Sequence, residues 1–404
     1  MKPDTMRRID FYVGVPLTFA CSVLFSILRF FKPIRTVKPS KILFLELSEM
    51  GSTILADPAM RKAKNHFTAE LYFVIFQRNR PSLKLLNTVS EKNIFTLRES
   101  NLVSLAFDVI KFIFWCRHNR IDTVIDLELF SRFSALLSLF SGASEKVGFF
   151  AYYSEGLYRG DFYNRKVSYN PYLHISKNFI ALVNALISTK PERPYSKTSI
   201  ADSEIKIPPF QCPEKDKLAM VQRIIERFPD FDPACHRLII VNPNSSALLP
   251  QRRWMPENFV ELTRKILDAD PRSIIVLTGA PGEEPGSDWI MNRINNKRCL
   301  NLTGQFQLED LPVLYSIATL MISNDSGPVH FASITTMTAI VIYGPETPAL
   351  YGSLGKIIPI YAGLACSPCV SALNHRKTSC SDNVCLQVIS PDMVFDKVKP
   401  FLNN

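Results

Sequence analysis

The first pattern along the chain is an unbroken apolar one. Phe11 to Leu28, FYVGVPLTFACSVLFSIL, carries 18 uncharged residues. As a helix it would run about 27 Å, just enough to cross a bilayer core. Gly14 and Pro16 interrupt its first half, and basic residues flank it: Arg7 and Arg8 before, Arg29, Lys32, Arg35 and Lys38 after. Its end lacks a small-residue cleavage pattern, so a removed signal peptide is not expected. Three arrangements stay open: a spanning anchor, a helix bent at Pro16 that dips into one leaflet, and a helix buried against the protein's own core. More positive charge follows the segment than precedes it, so even a spanning segment leaves the main body on the cytoplasmic side. The pattern favours residues 1–38 as a membrane-attachment segment, peripheral or anchored.

From Lys41 onward the hydrophobic spacing changes to short apolar runs alternating with amphipathic stretches. KILFLEL reads as a strand and SEMGSTILADPAMRKAK as a glycine turn leading into a helix with basic residues near its end. AELYFVIF, NIFTL and IDTVIDLEL read as further strands, with helices over SLKLLNTV and NLVSLAFDVIKFIFWCRHNR between them. Between Pro191 and Pro213 a Pro, Ser and Lys-rich stretch breaks the alternation and marks a domain boundary. Beyond it the theme returns: helix EKDKLAMVQRIIERF, strand RLIIVNPNS, helix PENFVELTRKILDA, strands SIIVLTGAPG and TLMIS, helix PVHFASI, strand TAIVIYGP. Such β-α repetition predicts parallel sheets in an α/β chain. The expected architecture is two Rossmann-like, doubly wound domains facing each other, over 39–200 and 201–404. No fixed-period repeat or low-complexity tract appears.

A chain of 404 residues is too long for one ordinary core. With 47% hydrophobic and 21% charged residues it has ample material for two. The formal charge of +10 favours anionic partners such as acidic lipid or phosphorylated substrates. Basic residues are scattered and lack zinc-finger spacings or RNA-binding aromatic signatures, so no nucleic-acid partner is expected. Nine cysteines, five of them isolated, read as reduced cytosolic usage.

Candidate chemistry collects at strand exits of the second half, where ligands of an open parallel sheet bind. SNDSGPVHFAS leaves one strand with Asn324, Asp325, Ser326, Gly327 and His330. Gly327 lets a ligand approach the backbone, Pro328 suits a first helical turn, and Asp325 or Ser326 would cap it. Helix-start amides there suit a diphosphate. NPNSSALLPQRRW leaves a second strand with Ser245, Ser246, Arg252 and Arg253, groups that hold phosphate. TGAPGEE leaves a third with Glu283 and Glu284, suited to a ribose diol. An Asx-turn cap is the plain structural alternative for the first of these. No Walker lysine motif and no G-x-G-x-x-G follows any strand, which weakens ATPase and dinucleotide readings.

Together SNDSGPVHFAS…AIVIYGPETPALYG, PNSSALLPQRRW, TGAPGEE and ILFLELSEMGSTILADPAMRKAK resemble glycosyltransferase family 9, the heptosyltransferases acting on lipopolysaccharide. The resemblance runs from about Lys41 to the C-terminus. It implies a GT-B fold, an N-terminal acceptor domain and a C-terminal nucleotide-sugar domain. It also implies metal-independent, inverting transfer from a nucleotide sugar such as ADP-heptose, a co-substrate rather than a cofactor, to a lipid-linked saccharide at the cytoplasmic face of the inner membrane. By position, Arg252 matches the residue meeting donor phosphates, Ser245 or Ser246 the hydroxyls beside it, and Glu283 or Glu284 the ribose-binding acid. Asp325, Ser326, Gly327 and His330 match the diphosphate and sugar loop.

One position departs from the family. Its first-domain turn usually reads Gly-Asp, the Asp serving as base, whereas this chain has Gly51 and Ser52. Glu49 is the first substitute and Asp57 the second; a loop acid or helix cap is the plain reading of Glu49. The departure leaves open a binding protein that does not catalyse, or another sugar-nucleotide enzyme such as an epimerase. Cys366, Cys369, Cys380 and Cys385 have a spacing that would hold zinc, although packing thiols or a disulfide fit better and the expected metal is none. The basic, Tyr-rich stretch YYSEGLYRGDFYNRKVSYNPYLH falls where the family holds its acceptor, and would suit a phosphorylated sugar chain or simply pack its own aromatics.

Overall fold

The computed structural model describes residues 3–31, 37–47, 50–153, 156, 158–246 and 248–402. The chain divides into two compact units, Met1–Ile205 and Lys206–Asn404. The first begins with helices α1 (Pro3–Tyr12) and α2 (Gly14–Phe31), followed by β1 (Lys41–Leu45), α3 (Met50–Phe67), β2 (Glu70–Phe76), α4 (Pro81–Leu86), β3 (Ile94–Leu97) and α5 (Leu102–Asn119). It closes with β4 (Thr123–Asp126), α6 (Arg132–Phe140), β5 (Glu145–Phe149), β6 (Arg165–Val167) and α7 (Ile175–Ile187). The second runs α8 (Glu214–Ile225), β7 (Arg237–Asn242), α9 (Pro256–Ala269), β8 (Ser273–Leu277), α10 (Glu284–Ile294), β9 (Cys299–Asn301) and α11 (Leu311–Ile317). Then come β10 (Leu320–Asn324), α12 (Gly327–Ala332), β11 (Thr338–Tyr343), α13 (Pro348–Tyr351), β12 (Lys356–Tyr361), α14 (Val384–Gln387) and α15 (Pro391–Leu402).

Among the described residues each unit holds one six-stranded sheet, in the orders β3-β2-β1-β4-β5-β6 and β12-β11-β10-β7-β8-β9, all parallel. Both sheets are wound outward from a central pair, β1 with β4 and β7 with β10, where the strand order reverses. The central strands are buried except for Lys41 at the start of β1, as their apolar runs require when helices cover a parallel sheet. This is the α/β, doubly wound class expected from the alternation.

Three local details differ from the sequence reading. The helix after β1 already includes Met50, so Gly51 and Ser52 sit in its first turn rather than in a turn before it. Helix α4 stops at Leu86 because Asn87 takes a left-handed conformation, φ 49°. The apolar N-terminal segment is two helices that part at Val13. Pro16 has no N–H to give the Tyr12 carbonyl and its ring crowds that oxygen, while Leu17 still donates to Val13 O (3.2 Å). The break therefore falls one turn before the proline.

A buried ion pair braces the first sheet's switch point. Asp126, the last residue of β4, accepts from Arg159 Nη2 (2.5 Å), the Tyr163 hydroxyl (2.6 Å) and Ser134 Oγ (2.9 Å). Arg159 also donates to the carbonyls of Ser131 and Glu128, tying the loop after β4 to the start of α6. Removing one partner of such a pair leaves an uncompensated buried charge. Replacing Arg159 with Met is therefore expected to cost about 3–5 kcal/mol, read as a lower urea midpoint at unchanged slope.

Candidate functional site

The second unit's switch point is framed by one amide side chain. Asn324, buried at the end of β10, accepts from Trp254 N (3.0 Å) and donates to Pro243 O (2.7 Å). A single side chain thus fixes the exits of β7 and β10 and the segment that carries Arg252. Trp254 anchors that segment: its ring is buried against Phe259 at 5.0 Å, and Nε1 donates to Ile389 O (2.9 Å). With the tryptophan locked, Arg252 is held towards the crevice.

There Arg252 meets charge on two sides. Its Nη2 donates to Glu346, and its Nε lies 3.6 Å from Asp325 Oδ2. Glu346 in turn lies 3.5 Å from Arg376 Nε, and Arg376 stands over the Tyr351 ring at 5.1 Å. The result is a chain of alternating charge, Asp325, Arg252, Glu346, Arg376, with the first three almost wholly buried. Arg252 Nε, Glu346 Oε1 and the buried Ser245 hydroxyl have no hydrogen-bond partner among the described residues. Burial pushes the Asp325 carboxyl up to about 6; Arg252 pulls it down and Glu346 pushes it further up. Burial works against the Arg252 cation, yet the two carboxylates hold its pKa above the ordinary value.

The sequence-predicted residues divide accordingly. Ser245, Arg252, Asn324 and Asp325 converge. Arg253 turns back to hold its own loop, donating to Ser245 O (2.8 Å), and Ser246 Oγ accepts from Leu248 N. Helix α12 spans six residues, and its N-cap Ser326 makes no side-chain cap bond; Ser326 Oγ sits 3.3 Å from Ser323 Oγ instead, and Asp325 faces Arg252. The expected side-chain cap is therefore not formed, because that carboxylate is drawn to the guanidinium. Gly327 is exposed, with open space where a side chain would stand. His330 Nδ1 pairs with Ser353 Oγ at 2.9 Å. Glu283 and Glu284 each give one oxygen to their own turn, accepting from Ala280 N and Gly282 N (both 2.7 Å). Gly279 lets that turn close on the β7 exit: a Cβ there would come 2.5 Å from Asn244 Nδ2 and 2.9 Å from Glu283 Oε2.

In the first unit Glu49 lies outside the described residues. Ser52 is half-buried in the first turn of α3. Asp57 has no exposed surface; burial raises its pKa, and its oxygens accept from Thr88 and Arg61. Among the described residues no group of three or more His, Cys, Asp or Glu side chains is arranged to hold a metal ion. Cys369 Sγ instead takes the Thr378 hydroxyl, and Cys380 donates to Asp382.

Glu346 and Arg376 were missed. Glu346 had a readable signal, since YGPETP leaves β11 just as the other motifs leave their strands. Arg376 had none, because it comes from a turn thirty residues further on, with φ 54°.

The family model for glycosyltransferase family 9 (heptosyltransferase) matches residues 110–379. Lipopolysaccharide heptosyltransferase 2 of Salmonella typhimurium is 26% identical over 144 residues, 35% of this chain and 39% of that protein. The chain therefore spans well under half the length of that relative by sequence. The structure of E. coli ADP-heptose lps heptosyltransferase II superposes with a TM-score of 0.67 at 20% identity, covering 90% of this chain and 98% of that one. E. coli heptosyltransferase WaaC with ADP-2-deoxy-2-fluoro heptose superposes with a TM-score of 0.62 at 17% identity, over 89% and 99%. These likenesses show the fold, the GT-B class.

The buried cluster makes stability depend on pH. A carboxyl whose folded pKa stands near 6 keeps its proton in the folded state at pH values where the unfolded chain has already lost it. Its contribution favours folding below about pH 4 and is lost as pH rises through about 6. Asp325→Asn, which cannot ionise, is expected to gain stability relative to the wild type across that interval, measured by chemical denaturation at each pH.

Proposed function

This chain belongs to glycosyltransferase family 9, the heptosyltransferases, and from that membership we propose that it transfers a heptose from an ADP-linked donor to a lipid-linked saccharide of lipopolysaccharide type. The observation that carries the proposal is the buried Arg252 cluster at the β7/β10 switch point, within the stretch that matches the family. The donor follows from the E. coli relative whose structure holds an ADP-heptose analogue, and the acceptor from the Salmonella relative's name.

The second unit takes the donor. Arg252 and the Ser245 hydroxyl grip the diphosphate, and Arg376 adds a second cation beside it. Incoming phosphate charge raises the proton affinity of Asp325 further, so donor binding draws a proton onto that carboxyl. Glu283 or Glu284 takes the ribose hydroxyls with the oxygen its own turn leaves over. The guanidinium groups balance charge on the departing ADP, which a single inverting displacement requires. The first unit takes the acceptor, with Glu49 as the base for its hydroxyl. Asp57, sealed inside α3, positions that helix rather than touching substrate. The work is done at the cytoplasmic face of the inner membrane.

The test is release of ADP by the purified full chain given ADP-heptose and a truncated lipopolysaccharide core. The wild type is expected to turn over. Arg252→Lys, which keeps the charge but loses the planar fork, should lower kcat/KM about 100-fold. Glu49→Gln should abolish turnover while ADP-heptose still raises the melting temperature. If ADP-heptose stabilises the wild type but is never consumed, the chain is a binding protein and the catalytic reading falls.

A further inference from the structure

Helix α2 is built inside out. Its inward stripe is small and polar: Gly14, Thr18 and Ser22 are buried, with Cys21 and Phe25 half-covered. Thr18 and Ser22 give their hydroxyl protons to Gly14 O (2.7 Å) and Thr18 O (2.6 Å). Its outward face is apolar, with Phe19, Leu24, Leu28, Phe30 and Phe31 all more than half exposed. Only 17% of the most apolar stretch between Asp4 and Leu28 is covered by protein. Water is a poor solvent for that face, and exposed apolar area of this extent marks an interaction site.

The helix pair is nevertheless part of the first unit. Asp10 accepts from the first amides of α6, Arg132 N (3.2 Å) and Phe133 N (2.8 Å), and lies 3.5 Å from the buried Arg132 guanidinium. Gly14 presses on Arg132 so closely that a Cβ would come within 2.7 Å of that residue's Cβ. Ser22 Oγ accepts from Asp161 N (2.7 Å), and Phe25 meets Phe162 edge-on at 6.5 Å. These contacts run from Asp10 to Phe25, most of the length a bilayer crossing would need. A helix seated on the protein over that distance cannot also be ringed by lipid.

A second apolar stripe lies nearby. Along α5, Val103, Phe107, Ile110 and Phe114 recur at helical spacing, and all are more than half exposed. Helix α6 touches both α5 and the α1–α2 pair, and Met6 packs into the same cluster as Leu105, Val109 and Ile113 of α5. Exposed cations accompany the stripes: Arg7 and Arg8 on α1, Lys111 and Arg117 on α5. Lys111 Nζ stands 4.5 Å over the Phe107 ring. In sequence, Arg29, Lys32, Arg35 and Lys38 close the segment.

We propose that α1 and α2 lie in the plane of one leaflet without crossing it, and that the α5 stripe is a second contact on the same surface. The occupant is a bilayer rich in anionic phospholipid. The apolar faces enter the acyl boundary and the cations meet the headgroups, as for other interfacial helices. The inference deepens the membrane location proposed above but is independent of the transfer chemistry.

Flotation of the full chain on vesicles without saccharide tests it. One vesicle set mixes three parts phosphatidylcholine with one part phosphatidylglycerol, and the other is phosphatidylcholine alone. Binding is expected on the mixed vesicles, several-fold weaker on the neutral ones, and reduced by about 0.5 M NaCl. The double change Phe107→Asp with Phe114→Asp removes only exposed side chains and should weaken binding at least about tenfold. An unchanged circular dichroism spectrum and ADP-heptose thermal shift would show that this variant is folded. Binding indifferent to salt, lipid charge and the α5 change would mean a spanning helix and overturn the proposal. A chain that stays with the aqueous phase as a dimer, by light scattering, would mean that a second copy covers the face, and overturn it too. Vesicle binding with no turnover would sink the transferase reading and leave this one standing.

Discussion

Where β7 pairs with β10, one half of the sheet grows away through β8 and β9 and the other through β11 and β12. The connections from the two central strands therefore leave in opposite directions, the arrangement that opens a crevice at the strand ends of such sheets. The catalytic proposal depends on this constraint, because it turns the ends of buried apolar strands into the place where polar side chains gather. Asn324 then fixes the crevice's width by bonding both walls.

Charge buried at such a point survives only when paired. Asp325, Arg252, Glu346 and Arg376 alternate in sign, so each cation lies beside a carboxylate. The arrangement is near neutral as a whole yet uneven in detail, with polar atoms on Arg252, Glu346 and Ser245 left without hydrogen bonds among the described residues. An arginine suits the centre because its planar fork can face carboxylates on two sides at once.

The strands that bear most of both sheets were legible because a parallel strand covered on both faces must be a continuous apolar run, as KILFL, RLIIVN and TAIVIY are. The edge strand β3 was legible as NIFTL, but β5, next to the opposite edge, and the edge strand β12 were not. In β5, Glu145 and Lys146 are buried by pairing with Arg165 and with the Ala143 carbonyl, so the run carries charges that hide it. In β12, Pro359 interrupts KIIPIY, which an edge strand tolerates. The identical winding of the two units left no trace as a repeat, since topology depends on where apolar residues fall and not on which they are. The site was half legible for a similar reason. Ser245, Arg252 and Asp325 announce themselves at strand ends, whereas Arg376 reaches Glu346 only through the folded chain.

The seat of α2 on α6 has a practical corollary for handling the molecule. Clipping away the apolar leader to obtain a more soluble form would strip Arg132 of its ion-pair partner Asp10 and leave the first two amides of the helix beneath without that acceptor. Met6 would leave the core it helps fill, and Phe162 would lose the ring of Phe25. The leader is a greasy keel bolted into the hull, and cutting it off opens the planking.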